Sequence, residues 1–475
     1  MLFNSFEFLW LFPLIFVAYY VVANWRWLVN VFPKAGNFVL LVISYGLYLK
    51  WKPVYALVLL AVTAVTYLFA IKIERDNAHG NKRYLAWIGI TLAILPLLLF
   101  KYYNFLNETL TSMLEAMNVT VGLPGLNWVM PLGISFFTLQ AIGYLADVYL
   151  QRIKAEHNWW DYMLFVSFFP QVASGPISKA VDLLPQIKAE RVFNPTQFSS
   201  GCRWLLWGMF LKVAVADRID TIVTPVYNLY ANYDGMSCFI ASLLYTFQIY
   251  ADFAGYSFMA MGVGKILGFN LINNFNRPYL SQSITEFWHR WHISLSTWLK
   301  DYIYIPLGGS RCSRLRNYWN IFITFLVSGI WHGANWTFIV WGMLHGLFQV
   351  IEKAIGLNKT KSKGITRCLR IAVTFMLVNF AWIFFRMPSL NDAIGVIDKI
   401  FFNPTIDFHI FMEYKTLLFP LYIMIVADVV NEYCPRFDLF HNKYIAVRWA
   451  AYMMILILTL LFGVFDAGQF IYVNF

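Results

Sequence analysis

The sequence predicts an all-α, polytopic integral membrane protein, and two observations carry that prediction. Of 475 residues, 60% are hydrophobic and 19% aromatic while only 13% are charged, against roughly 25% charged in a soluble globular domain. The apolar residues also gather into segments of roughly 17 to 25 positions, the length that crosses about 30 Å of hydrocarbon as a helix. Too few polar residues remain to cover soluble modules of this total length, so such modules, disorder and collagen-like repeats are excluded. No internal repeat or low-complexity segment appears, and the chain reads as a single membrane domain over 1–475.

The candidate spans begin at Phe6, Gly36, Pro53, Tyr84, Pro131, Gln197, Ser237, Tyr318, Asn335, Ile371, Tyr414 and Ile445, which gives about eleven to twelve transmembrane helices. The first stretch, Met1 to Ala23, has neither a basic n-region nor a small-residue cleavage site and reads as a retained span. Basic loops then set the orientation. Lys72, Arg75, Lys82 and Arg83 crowd one loop, Arg152 and Lys154 a second, and Lys353, Lys359, Lys361, Lys363, Arg367 and Arg370 a third. Such loops are kept on the cytoplasmic side. Tyr102 to Met130 carries Glu108 and Glu115 but no Lys or Arg, as expected on the opposite side, and the alternation places the N-terminus outside. The same retained loops account for the formal charge of +11. No basic stretch forms a separate polar domain, so nucleic acid is not an expected partner. Cys202, Cys238, Cys312, Cys368 and Cys434 are scattered without CxxC spacing and read as packing residues.

Three regions depart from simple spans. Trp159 to Pro176 and Ile284 to Gly309 have basic residues on both flanks and polar or Gly/Pro interruptions inside. They read as re-entrant or in-plane helices whose irregular backbone is buried in protein. The third is Tyr318 to Val350, an apolar run with cytoplasmic-type charges on both sides: Arg311, Arg314 and Arg316 before it, Lys353 after. An even number of crossings must fit into it, so Trp331-His332-Gly333-Ala334-Asn335 is the expected turn between two short helices. Tyr318 to Ile330 would reach about 20 Å at 1.5 Å per residue, which puts His332 inside the membrane.

Ionisable residues within membrane segments are costly and are functional candidates for that reason. His79, His157, His409 and His441 lie in polar loops and read as solvated surface. His332 is the strongest candidate, because an imidazole titrating near neutrality suits proton transfer; the plainer alternative is a satisfied buried histidine closing a turn with Asn335. His345 reads as a packing or hydrogen-bonding residue. The segment Glu286 to Asp301, EFWHRWHISLSTWLKD, carries a second cluster. As helix neighbours at i,i+3, His289 and His292 raise a metal site, but Glu286 and Asp301 complete no zinc spacing and no metal is expected. Arg290 and Lys300 suit phosphate groups, and the indoles, Trp298 among them, suit an apolar channel. Ser294 or Ser296 activated by His292 is a rival nucleophile, without a GxSxG elbow or an evident triad acid. Pro306-Leu307-Gly308-Gly309-Ser310-Arg311 fits either a phosphate cradle or a turn ending a membrane helix.

These residues also carry a resemblance. NFNRPYLSQSITEFWHRWHISLSTWLKDYIYIPLGGSR from Asn274 to Arg311, followed by GIWHGANWTFIVWGMLHG from Gly329 to Gly346, resembles the membrane-bound O-acyltransferase (MBOAT) family, in its bacterial alginate O-acetyltransferase branch. FFPQVASGPISKAVDLLPQI from Phe168, YADFAGYS from Tyr250 and FIYVNF from Phe470 extend the similarity along nearly the whole chain. Phe258 departs from it, standing where an Asp is expected after GYS.

The resemblance implies an MBOAT helical core around His332, with His292 at the partner position of the family motif. It implies a bacterial inner-membrane, multi-pass enzyme that takes an acyl group from cytosolic acyl-CoA, acetyl-CoA foremost, with no permanently bound cofactor. The acyl group passes to an extracytoplasmic glycan hydroxyl or to a periplasmic SGNH-type acyltransferase partner, in contact with membrane lipid throughout. His332 is then the general base, His292 orients it or stabilises the oxyanion, and Arg290, Lys300, Trp298 and Asn335 are expected to hold the donor. A transporter or flippase without chemistry predicts broken helices and midplane polar sites as well, and a purely structural assembly subunit would survive loss of both histidines.

Overall fold

The computed structural model describes residues 3–76, 81–119, 122, 124–172, 174–357, 362–403, 409–437, 439–440 and 442–465. Outside the described residues lie His79, Lys359, Lys361, His441 and the C-terminal FIYVNF, and of His409 only the backbone is described. All twelve predicted segments contain a helix, and among the described residues there is no strand. Five helices are both long and apolar enough to cross a membrane: Phe6–Asn24, Pro53–Arg75, Lys82–Ala116, Gly364–Arg386 and Ile445–Phe462. Others stop short, such as Ile134–Tyr149 with 16 residues and Phe419–Tyr433 with 15. Large apolar side chains are exposed, including Phe6 at 82%, Trp27 at 68% and Leu461 at 71%. An apolar exterior of this kind is the surface a multi-pass protein turns to lipid.

The helices gather into two compact units. The first comprises Phe6–Gly201 and Val263–Ile272. Its centre is Ile134–Tyr149, mostly apolar and buried along nearly its whole length, as expected of a helix surrounded by others. The expected interruption at Trp159 to Pro176 is present as two short helices, Trp159–Ser167 and Phe169–Val172, most of whose residues are buried. Buried irregular backbone needs hydrogen-bond partners, and side chains supply them. Gln140 Nε2 donates to Phe165 O at 2.6 Å, Gln171 Nε2 donates to Gln140 Oε1 at 3.0 Å, and the Phe169 amide donates to Ser44 Oγ at 3.2 Å.

The second unit comprises Leu2–Ser5, Cys202–Gly262 and Asn273–Phe475. It holds the long helix Gly235–Ile266 up to Gly262, the short helices Ile284–Arg290 and Ile293–Leu299, the pair Arg314–His332 and Trp336–Ala354, and the apolar helix Gly364–Arg386. The pair is the helical hairpin expected from the flanking charges, with its turn at Gly333 to Asn335. Close packing of two helices needs small residues where backbones meet. A Cβ on Gly329 would lie 2.4 Å from Phe338 O and 3.1 Å from Gly342 Cα, so the backbones touch there. Phe258, the departure from the family pattern, is buried with its ring 4.9 Å from that of Trp204.

Candidate functional site

The hairpin positions the first histidine. Ser313 caps Arg314–His332 by accepting from the Arg316 amide, and the helix ends on His332, which is 3% exposed. The last turn of the helix therefore carries His332 into the interior of the unit, beside the turn to the next helix. Across the turn, Asn335 Oδ1 accepts from the Thr337 amide at 3.0 Å, and Asn335 Nδ2 donates to Pro388 O at 2.7 Å. Asn335 is therefore the N-cap of Trp336–Ala354, with both ends of its amide engaged.

The second histidine sits at a break. Ile284–Arg290 begins with Ser283 Oγ accepting from the Glu286 amide, and the buried Glu352 carboxylate accepts from the Ile284 and Thr285 amides at 2.9 Å each. A carboxylate at a helix N-terminus satisfies otherwise orphaned N–H groups, so the hairpin helix carrying Glu352 anchors this short helix. The helix then stops, and His292 adopts a left-handed backbone at φ 42°, a conformation rare outside glycine. Asn274, wholly buried, secures the break: its O accepts from Ile293 N and its Oδ1 from Ser294 N, each at 3.0 Å. The i,i+3 expectation for His289 and His292 is thereby corrected, since His289 belongs to one helix and His292 caps the next. Among the described residues no group of three or more His, Cys, Asp or Glu side chains is placed to hold a metal ion.

One aromatic cluster contains both candidates. The Trp331 ring lies 4.9 Å from that of His332 and 6.2 Å from that of His292. Phe253 meets His292 edge-on at 4.6 Å, and Phe385 meets His332 at 5.3 Å. Trp341, wholly buried, lies 4.9 Å from His332 on one side and 4.9 Å from His345 on the other. His345 Nδ1 accepts from Trp288 Nε1 at 3.3 Å, so its proton belongs on Nε2 when the ring is neutral. Sequence reasoning read His345 as a packing or hydrogen-bonding residue, and it does both, but its membership of this cluster depends on the hairpin and has no local signal. Among the described residues, the indole Nε1 groups of Trp341 and Trp382, His345 Nε2, Ser328 Oγ and Thr337 Oγ1 are buried without a hydrogen-bond partner. Native interiors rarely leave such groups unsatisfied unless a ligand, water or reaction uses them.

The expected donor-binding residues are dispersed among other tasks. Arg290 donates to Glu286 Oε1 at 2.7 Å and to Glu432 at 3.0 and 3.1 Å, while Arg277 and Arg367 reach the same Glu432 at 2.9 and 3.5 Å. Lys300 opens a π-helical turn, is exposed, and lies 4.0 Å from the Asp301 carboxylate. Trp298 is buried against Tyr302 at 5.1 Å. Ser296 Oγ donates to Trp291 O at 3.2 Å. Gly308 and Gly309 have φ of 112° and 55° and form a turn whose Gly309 O accepts from Asn317 at 2.7 Å.

The family model described as MBOAT, membrane-bound O-acyltransferase family, matches residues 149–391, which include His292 and His332. The chain is 38% identical over 408 residues to a probable alginate O-acetylase of Pseudomonas aeruginosa, covering 84% of this chain and 75% of that protein. It is 34% identical over 426 residues to a peptidoglycan O-acetyltransferase of Helicobacter pylori, covering 84% and 79%. It is 26% identical over 366 residues to a teichoic acid D-alanyltransferase of Streptococcus thermophilus, covering 71% and 83%.

Proposed function

We propose, from the premise that this chain belongs to the membrane-bound O-acyltransferase family and is an acyltransferase, that it moves an acetyl group from cytosolic acetyl-CoA to a hydroxyl on the far side of the bacterial inner membrane. The acceptor is an extracytoplasmic glycan, reached directly or through a periplasmic acyltransferase partner. Similarity to an alginate O-acetylase and to a peptidoglycan O-acetyltransferase supports the glycan class. The observation that carries the reading is the burial of His332 and His292 in one aromatic cluster, bridged by Trp331.

In the reaction, His332 removes the proton from the acceptor hydroxyl as its oxygen attacks the thioester carbonyl. The new C–O bond forms, the C–S bond breaks, and the leaving thiolate takes the proton back from His332, giving ester and CoA. A positioned base of this kind contributes about 10²- to 10⁴-fold. The oxygen of the tetrahedral intermediate needs donors fixed in a water-poor site. The buried indole N–H groups of Trp341 and Trp382, which have no partner, can supply them, and His292 stands in the same cluster. Lys300 supplies exposed positive charge for the donor's phosphates, with Trp298 beside it on the same short stretch of chain. Arg290 meets phosphate only by exchanging it for the Glu432 carboxylate.

Purified protein in detergent tests this. Acceptor-dependent release of CoA thiol from acetyl-CoA is expected from the native chain and not from His332→Ala. A covalent acetyl adduct trapped on the native protein would replace direct transfer by an acyl-enzyme route.

A further inference from the structure

The proposed reaction leaves unused a buried ion triad in the same unit. Lys212 lies in the π-helical segment Phe210–Ala216, every residue of which is buried. Its Nζ is 2.8 Å from Asp217 Oδ1 and 2.6 Å from Asp252 Oδ1, with the three side chains 4%, 7% and 2% exposed. Desolvating three charges is repaid only by close, fixed geometry, and π-helical turns recur at functional sites. The backbones around the triad also touch. A Cβ on Gly255 would lie 2.8 Å from Gly208 O and 2.9 Å from the Lys212 amide nitrogen.

What the triad holds in place is the long helix Gly235–Ile266, and that helix supports His292 from two sides. Phe253, the residue after Asp252, sets its ring edge-on to the His292 imidazole at 4.6 Å and 87°. Ser257, further along the same helix, accepts from Asn274 Nδ2 at 3.3 Å. Asn274 in turn secures the left-handed backbone at His292 through the Ile293 and Ser294 amides. A glycine contact between helices permits sliding, and a slip of one residue moves a helix by about 1.5 Å, enough to carry Phe253 off the imidazole. A lysine gripped by carboxylates from two elements permits one register.

We infer that Lys212, Asp217 and Asp252 are positioning residues that fix His292 for the reaction, acting through Phe253 and through Ser257 and Asn274.

Two variants of the full-length protein test this. Asp252→Glu keeps every charge but pushes the contact out by a methylene. The combined variant Lys212→Met, Asp217→Asn, Asp252→Asn removes all three charges and with them the grip on register. Each is compared with native protein for kcat and KM, and for carbethoxylation of His292 by diethyl pyrocarbonate, mapped by peptide mass spectrometry with His345 as the internal standard. A positioning role lowers kcat by roughly 10- to 100-fold with KM unchanged, as displacement of an active group by about 1 Å does. It also raises labelling of His292 but not of His345.

Unchanged kcat, unchanged His292 labelling, or labelling that rises equally at both histidines overturns the inference. If the charge-free variant does not fold, Asp252→Glu decides alone. The kinetic arm rests on the acetyl-transfer reading and the labelling arm does not. A native protein without transferase activity would therefore refute the proposed function while the labelling contrast still judged the triad.

Discussion

Replacing Gly342 by Ala attacks the hairpin where its two helices are closest. The new Cβ would lie 2.5 Å from Phe325 O and 3.0 Å from Gly329 Cα, where ordinary contacts begin at 3.4 Å. Both neighbours are backbone, so no side chain can swing aside, and relief requires the helices to part by about 0.9 Å, the difference between the 2.5 and 3.4 Å distances. Overpacking of this kind costs about 1–3 kcal/mol of stability. A catalytic cost comes with it, because one helix ends at His332 and the other carries Trp341 and His345. Moving them apart by about 1 Å is expected to lower kcat on the order of 100-fold. The assay is acceptor-dependent thiol release, with thermal unfolding in the same detergent to correct for the folded fraction. Gly46→Ala is the control, since nothing lies within 4 Å of a Cβ at that position in the helix Ala35–Trp51, and it should leave both readings at native values. A Gly342→Ala protein that turns over at the native rate would refute the claim that the hairpin contact sets the site.

Three further substitutions probe separate parts of the account. Asn274→Ala removes the acceptor of the buried Ser294 amide, at a cost of about 1–3 kcal/mol, and should lower both the melting temperature and kcat. Trp341→Phe keeps the ring between His332 and His345 but deletes an N–H that has no partner. The smaller ring leaves a cavity that lowers stability, while turnover per folded molecule should fall by up to about 10²- to 10³-fold if that group serves the oxyanion; native turnover would exclude it from that role. Glu432→Gln leaves Arg277, Arg290 and Arg367 without their shared carboxylate charge, and a loss of about 1–3 kcal/mol is expected in thermal or denaturant unfolding.

The parts of this architecture that were legible in the sequence are those fixed by local pattern. Arginines before Tyr318 and Lys353 after Val350 bracket an apolar run whose polar centre can only be a turn, and that reasoning places His332 at the buried end of a helix, where it stands at 3% exposure. Asn335 was placed in that turn and among the donor-binding residues, whereas its amide caps the helix that follows. The helix break at His292 was not readable, because EFWHRWHIS has helical spacing throughout and the interruption is held from Asn274, in an earlier segment. Arg290 illustrates the same limit: its guanidinium is taken up by Glu432, 142 positions away, and no periodicity encodes a pairing at that range. The number of spans was likewise less secure than their location. Several segments are helical yet short, since polar interruptions that end a helix in lipid are satisfied here by buried side chains.

The most direct test of the central claim is the ester content of cell-surface glycans, measured by mass spectrometry in cells whose only copy of this protein carries His332→Ala, with its membrane level matched to native by immunoblot. General-base catalysis by His332 predicts ester content as low as in cells lacking the protein. Undiminished ester at matched membrane level would remove His332 from the mechanism.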